Sequence, residues 1–135
     1  MKRSTALQPL SREHHSALKL AKGCQRAVLA RDEAILDMAC RHALQVYADE
    51  LAAHFLFEEQ TLLPLLTGTP EQSLAERTVS EHRHLHALLD GVGRNDADAL
   101  QRFGIGLAAH VRFEERELFP ALEIKLDERN YGIKT

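Results

Sequence analysis

Two stretches of the 135-residue chain, "HFLFEEQTLLP" (54–64) and "HVRFEERELFP" (110–120), carry the same phrase. Each has His first, Phe-Glu-Glu at the fourth to sixth positions, Leu at the ninth and Pro at the eleventh. On a helix, His54 and Glu58 stack on one face, as do His110 and Glu114, because residues four apart are neighbours. The pair His82 and His86 in "SEHRHLHALL" stacks in the same way, with His84 turned away. In "SREHHSAL", His14 extends the stripe of Leu10, Ala17, Leu18 and Ala21, whereas His15 falls near Lys19, Lys22 and Arg26. His14 is therefore expected to face inward and His15 outward. Eight histidines is an unusual number for a chain of this length.

The elements that must carry these residues read as helix throughout. Ala and Leu are abundant, Val, Ile and Thr sparse, and no stretch alternates with period two. Ser11, after Pro9, is the expected cap of a first helix. A second opens at Asp32 and runs to the "TGTP" break at 67–70, with Pro64 loosening its last turn. Thr69-Pro70-Glu71 predicts a third start, with Pro at the first helical position. "GVGRND" at 91–96 ends that helix, and a fourth runs from about Ala97 to Pro120, with a short helical tail to Asp127. Short links between long helices predict an all-α, antiparallel up-down-up-down four-helix bundle. One domain spanning 1–135 is expected, its core at about 10–122.

The register brings the polar residues together. Around Gly68, His54 lies fourteen residues before the turn and His82 fourteen after it. Around Arg94, His82 lies twelve before and His110 sixteen after. For His14 the spacings are about 17 and about 23, which a longer link or a tilt absorbs. One layer of the bundle thus collects His14, His54, Glu58, His82, His86, His110 and Glu114. Imidazoles and carboxylates are costly to bury unpaired, and divalent metal resolves that cost. Five histidines and two glutamates exceed one tetrahedral zinc and suit two octahedral ions bridged by carboxylates. With two bridging carboxylates, one bridging oxygen and five imidazoles, a single position stays open for a small ligand. Without His86, two are open and reactive chemistry becomes easier.

The ordered set formed by His14 in "EHHSAL", then "HFLFEE", "EHRHLH" and "HVRFEERELFP" resembles the hemerythrin-like (HHE cation-binding) family over roughly residues 10–122. The resemblance implies two non-haem irons, bridged by an oxo or hydroxo group and by Glu58 and Glu114. His14 and His54 would bind one ion, and His82, His86 and His110 the other. In marine-invertebrate-type hemerythrins the last motif is usually His with Asp five residues on. Here Glu114 stands at plus four and Glu115 at plus five, and Glu114 is preferred because its longer side chain reaches as far. The function so implied is binding of dioxygen or another small diatomic ligand, as carrier, store or sensor. The alternatives are redox handling of peroxide or nitric oxide, and iron delivery or storage. A sensor would need a separate signalling partner.

The remaining residues are given plainer roles. Glu59 and Glu115 are expected to be exposed or to orient a neighbouring histidine. His42 is expected as a hydrogen-bonded core histidine, His15 and His84 as solvated or as outer partners of the site residues. Phe55, Phe57, Phe113 and Phe119 are expected mostly in the core, and Tyr47 to line the site or pack. Cys24 and Cys40 read as small buried hydrophobes. The 17 basic and 20 acidic side chains give no nucleic-acid stripe and no polybasic membrane patch. No apolar run approaches transmembrane length and no signal-peptide core follows Met1–Arg3, so the cytoplasm is the expected location.

Overall fold

A computed structural model describes the backbone of residues 3–134 and the side chains of 3–128. Among the described residues there is helix and turn and no strand, arranged as four long helical rods. The first rod is α1 (Gln8–Leu29). Its cap is Leu7, four residues before the expected Ser11, because Pro9 is tolerated in a first turn whose N–H groups have no intrahelical acceptor. Ser11 is consequently inside the helix, and its hydroxyl donates to Glu115 Oε2 at 2.8 Å instead of capping. Arg31, at φ 52°, turns the chain out of α1.

The second rod comprises α2 (Glu33–Val46), a π turn (Tyr47–Leu51), α3 (Ala52–Phe57), a second π turn (Glu58–Leu62) and a 3₁₀ turn (Leu63–Leu66). The helix opens where expected, and Asp32 is its cap, accepting from the Ile35 N–H at 3.0 Å. Pro64 sits in the 3₁₀ turn, and Gly68, at φ 77°, completes the break. The third rod, α4 (Gln72–Gly93), opens two residues later than the Pro70 start predicted. Thr69 Oγ1 donates to Leu66 O at 2.7 Å and accepts from the Glu71 N–H at 3.2 Å. The tripeptide is thus a staple between rods rather than a first helical turn.

The fourth rod is α5 (Ala97–Phe113), a π turn (Glu114–Leu118) and α6 (Phe119–Lys134). Asp96 caps it, accepting from the Asp98 N–H at 3.0 Å. The expected helical tail is present but is not set off at Pro120: helix runs through that residue without a break and past Asp127. Contacts of α1 with α2, α2 with α4, α4 with α5 and α5 with α1 close the ring of a four-helix bundle. The α1–α5 approach is tight at Gly104, where a Cβ would stand 2.9 Å from Ala21 O and 3.0 Å from Cys24 Cβ.

Two apolar clusters fill the bundle. One contains Leu20, Ala21, Cys24, Phe55, Leu85, Leu100, Phe103 and Leu107. The other contains Leu7, Leu10, Leu62, Leu66, Phe113, Leu118, Phe119 and Leu122. Each fully buried Leu or Phe contributes about 1.5–3 kcal/mol from area removed from water. Every rod carries its buried polar residue between these clusters: His14 follows Leu10 and precedes Ala17, and Glu58 lies between Phe55 and Leu62. The polar layer is a seam between two separate cores.

Candidate metal centre

His14, His54, Glu58, His82, His110 and Glu114 converge in that seam, all 5% exposed or less. The four Nε2 atoms aim at the two carboxylates. His54 Nε2 is 3.1 Å from Glu58 Oε2 and His82 Nε2 is 3.0 Å from Glu58 Oε1. His14 Nε2 is 2.8 Å from Glu114 Oε1 and His110 Nε2 is 3.2 Å from Glu114 Oε2. Glu114 also lies 3.6 Å from His54 Nε2 and 3.9 Å from His82 Nε2. Two four-residue groups result, His14–His54–Glu58–Glu114 and Glu58–His82–His110–Glu114, and they share both carboxylates.

The four Nδ1 atoms point outward, each to a further carboxylate, and these contacts circulate around the bundle. Glu13 of the first rod meets His54 of the second at 3.0 Å. Glu59 of the second meets His82 of the third at 2.6 Å. Glu81 of the third meets His110 of the fourth at 2.6 Å, and Glu115 of the fourth meets His14 of the first at 2.6 Å. Each acid is the chain neighbour of a buried site residue, so the helix that contributes to the centre also orients the imidazole of the next helix. An Nδ1–H donated outward leaves the Nε2 lone pair directed inward, the tautomer a metal ligand requires.

The electrostatics of the metal-free layer are strained. Burial would lower the His54 pKa, but Glu114 and Glu58 outweigh it and push it up to about 11. At His110 burial is likewise outweighed by Glu114 and Glu81, giving about 9. Burial and the neighbouring Glu114 push Glu58 up. Burial would also raise Glu114, yet His110, His14 and His54 hold it well below the usual carboxylate range. Glu58 Oε1, His82 Nε2, His110 Nε2 and Glu114 Oε2 are buried with no hydrogen-bond partner despite lying 3.0–3.2 Å apart in pairs, because the pairs are misaligned for donation. Buried polar atoms rarely stay unpaired. Lone pairs that face a common point, from imidazole and carboxylate donors, fit a first-row divalent cation.

A family model, the hemerythrin HHE cation-binding domain, matches residues 5–122. The chain belongs to that family. No curated protein and no solved structure matches it significantly. Family membership and the buried donor groups agree on a cation site.

Within that family frame, three residues, His86, His42 and Phe57, stand differently from the sequence expectation. His86 is exposed, outside both groups, with its ring 6.0 Å from that of Tyr47. The buried seam of α4 runs Thr78, His82, Leu85, Val92. From His82 the next inward position is therefore three residues on, at Leu85, and the fourth residue is rotated out. His15 and His84 are exposed as expected. His42, expected in the core, is exposed, and so is Phe57 at 42%. Phe55 stacks on His82 with centroids 4.0 Å apart, and Phe119 stacks on His14 at 5.1 Å, so two of the phenyl rings wall the centre. Tyr47 packs edge-on to Phe55 at 6.1 Å. Cys24 and Cys40 are buried and unbridged. Glu13 and Glu81 were not singled out from sequence, although the doubled "EH" at 13–14 and 81–82 was the available signal.

Proposed function

We propose that this chain is a dinuclear non-haem iron protein that binds dioxygen, or a small oxygen species derived from it, at positions its own residues leave open. His14 and His54 would hold one ion, His82 and His110 the other, with Glu58 and Glu114 shared. The observation that carries this reading is the inward aim of four Nε2 atoms on two fully buried carboxylates, each imidazole fixed from outside by its own acid. Two six-coordinate ions have twelve positions, and four imidazoles plus four carboxylate oxygens supply eight. The phenyl walls keep the remaining positions dry. An up-down-up-down order, supported by the short links around residues 30–32, 67–71 and 94–96, belongs to the same reading. A cytoplasmic, reducing location suits the two unbridged cysteines.

A second reading, redox turnover of peroxide or nitric oxide at the same ions, is favoured by the exposed position of His86, because a fifth imidazole would otherwise fill a reactive position. Anaerobic reconstitution with ferrous iron, metal analysis and an optical spectrum before and after admitting air separate the two. Two irons per chain and a visible charge-transfer band that fades when oxygen is removed support reversible binding. Two irons with immediate, irreversible bleaching support turnover. Fewer than two irons sinks the dinuclear reading.

A further inference from the structure

The segment before α1 is tied into the metal layer by a residue outside the family-matched span of 5–122. Arg3 Nη2 donates to the Glu115 backbone carbonyl at 2.5 Å and to Glu115 Oε1 at 3.1 Å, with Nε at 3.3 Å from the same oxygen. Its Nη1 donates to Glu123, and the Ser4 N–H donates to the other oxygen of Glu123 at 3.2 Å. Gln8 Nε2 returns a bond to Arg3 O at 3.0 Å. The guanidinium also lies over Phe119 at 5.5 Å, and His14 stacks on the same ring.

The acceptor at Glu115 has a local cause. In the π turn the Phe119 N–H donates five residues back, to Glu114 O. The next donor in that register would belong to residue 120, which is proline and has none. Glu115 O is left for an outside donor, and Arg3 supplies it. Meanwhile Glu115 Oε2 receives Ser11 Oγ at 2.8 Å and His14 Nδ1 at 2.6 Å. Arg3 therefore grips the backbone and the carboxylate of the one acid that orients His14.

A counterpart exists on the other side. Arg77 Nε donates to Glu81 at 2.8 Å, and Arg77 lies over Phe113 at 3.9 Å. Glu81 orients His110. Each four-residue group thus contains one imidazole whose acid is held by an arginine stacked on a phenyl ring of the fourth rod: His14 through Arg3, and His110 through Arg77.

We propose that Arg3 is a positioning residue for the metal centre, holding the His14–His54 half through Glu115, while Arg77 does the same for the His82–His110 half through Glu81. The inference rests on the dinuclear reading above. Its consequence is that the two ions are retained by separate outer clamps, one of which is built from residues flanking the family domain. Loss of an outer partner of a ligating histidine typically costs 10–100-fold in metal affinity, and a residue one bond further out belongs at about the lower end, 10-fold.

The test uses zinc as probe, with the full chain and a competing chelator. Wild type should take two equivalents and show four hydrogen-bonded imidazole Nδ1–H resonances in its NMR spectrum. Arg3→Ala should weaken one equivalent about 10-fold and perturb the His14 resonance alone, with helix content by circular dichroism unchanged. Arg77→Ala should weaken the other equivalent and perturb the His110 resonance. Equal weakening of both equivalents by Arg3→Ala, or no weakening, overturns the proposal. So does a wild-type chain that takes fewer than two zinc ions, an outcome that also removes the dinuclear reading and is told apart by the wild-type titration.

Discussion

The segments His54–Pro64 and His110–Pro120 begin alike and end differently. In both, a buried His is followed four residues later by a fully buried Glu, and a π turn opens at that Glu. Pro64 lies within a 3₁₀ turn, and the chain leaves the helix at Gly68; Pro120 lies within the first turn of α6, which runs on. The phrase fixes the local geometry of the site, but the residues beyond it decide whether the helix survives. Ala-Leu-Glu-Ile-Lys-Leu after Pro120 are good helix formers, whereas Thr67 and Gly68 are not. The two carboxylates also differ in reach. Glu114 faces all four imidazoles within 3.9 Å, and Glu58 faces two, at 3.0 and 3.1 Å.

Removing a carboxylate tests that asymmetry most severely. Glu114→Ala and Glu58→Ala should each strip the chain of both ions, since both groups share both residues. In chelator, however, Glu114→Ala should destabilise the fold by about 3–5 kcal/mol, the range for breaking a buried charge pair. Glu58→Ala should cost clearly less, because Glu114 remains to face the imidazoles. Urea unfolding of the two metal-free variants decides, and equal costs would refute the asymmetry.

Single histidines come next. His54→Ala and His110→Ala, the matching positions of the repeated phrase, should each bring metal content well below two per chain. His15→Ala, exposed and one residue from a site histidine, should leave it at two. Equal loss in all three, measured by metal analysis, would undo the assignment of helix faces.

The repeat made much of this legible in advance. Four rods, the helix starts near Asp32 and Ala97, and the burial of six of the seven layer residues follow from the apolar pattern, from i, i+4 pairing and from counting residues across the turns. The π turns were not legible, because one extra residue per turn leaves no signature in apolar spacing until the Pro that tolerates it is recognised. The exposure of His86 shows that i, i+4 pairing with a buried histidine is not sufficient to bury the second one. Whether the fourth residue stays inside depends on where the 3-4 alternation of the seam stands, and at His82 the next step is three. The circulating acids Glu13 and Glu81 required knowledge of which helix adjoins which, a property of packing rather than of any one segment.

Acidity distinguishes the same two copies in the metal-free chain. His54 and His110 have folded pKa values of about 11 and about 9, above the unfolded value of about 6.5. Their contribution to stability is full below about 6.5 and falls as pH rises, being lost by about 9 for His110 and about 11 for His54. The slope is at most about 1.4 kcal/mol per pH unit for each group. The metal-free melting temperature should therefore drop between pH 7 and 10, with His54→Ala removing the part of the decline above pH 9. Binding of a cation at pH 7 should release protons from both, visible as a buffer-dependent heat in calorimetry. A metal-free chain whose stability rises with pH in this window would contradict the pairing.

His86→Ala compared with His82→Ala addresses the third rod, where the spacing matches but the faces do not. The His86 change should keep two ions per chain and move stability by no more than about 0.5 kcal/mol, as for other exposed positions. The His82 change should lose metal as His110→Ala does. Metal loss on removing His86 would bring that side chain into the centre and restore the five-histidine expectation.

The smallest effect belongs to the two prolines. An alanine at 120 introduces an N–H in register with Glu115 O, the acceptor that Arg3 now occupies. Pro120→Ala alone should change stability by less than about 1 kcal/mol, since one hydrogen bond replaces another. In that background Arg3→Ala should cost about 0.5–1 kcal/mol less than in the wild type, because the carbonyl keeps a donor. Pro64→Ala should show no such coupling to Arg3, which touches only the fourth rod among these segments. A double-mutant cycle with equal Arg3→Ala costs in all three backgrounds would mean that the orphaned carbonyl is not what Arg3 recognises, leaving the Glu115 and Glu123 carboxylates as its anchors.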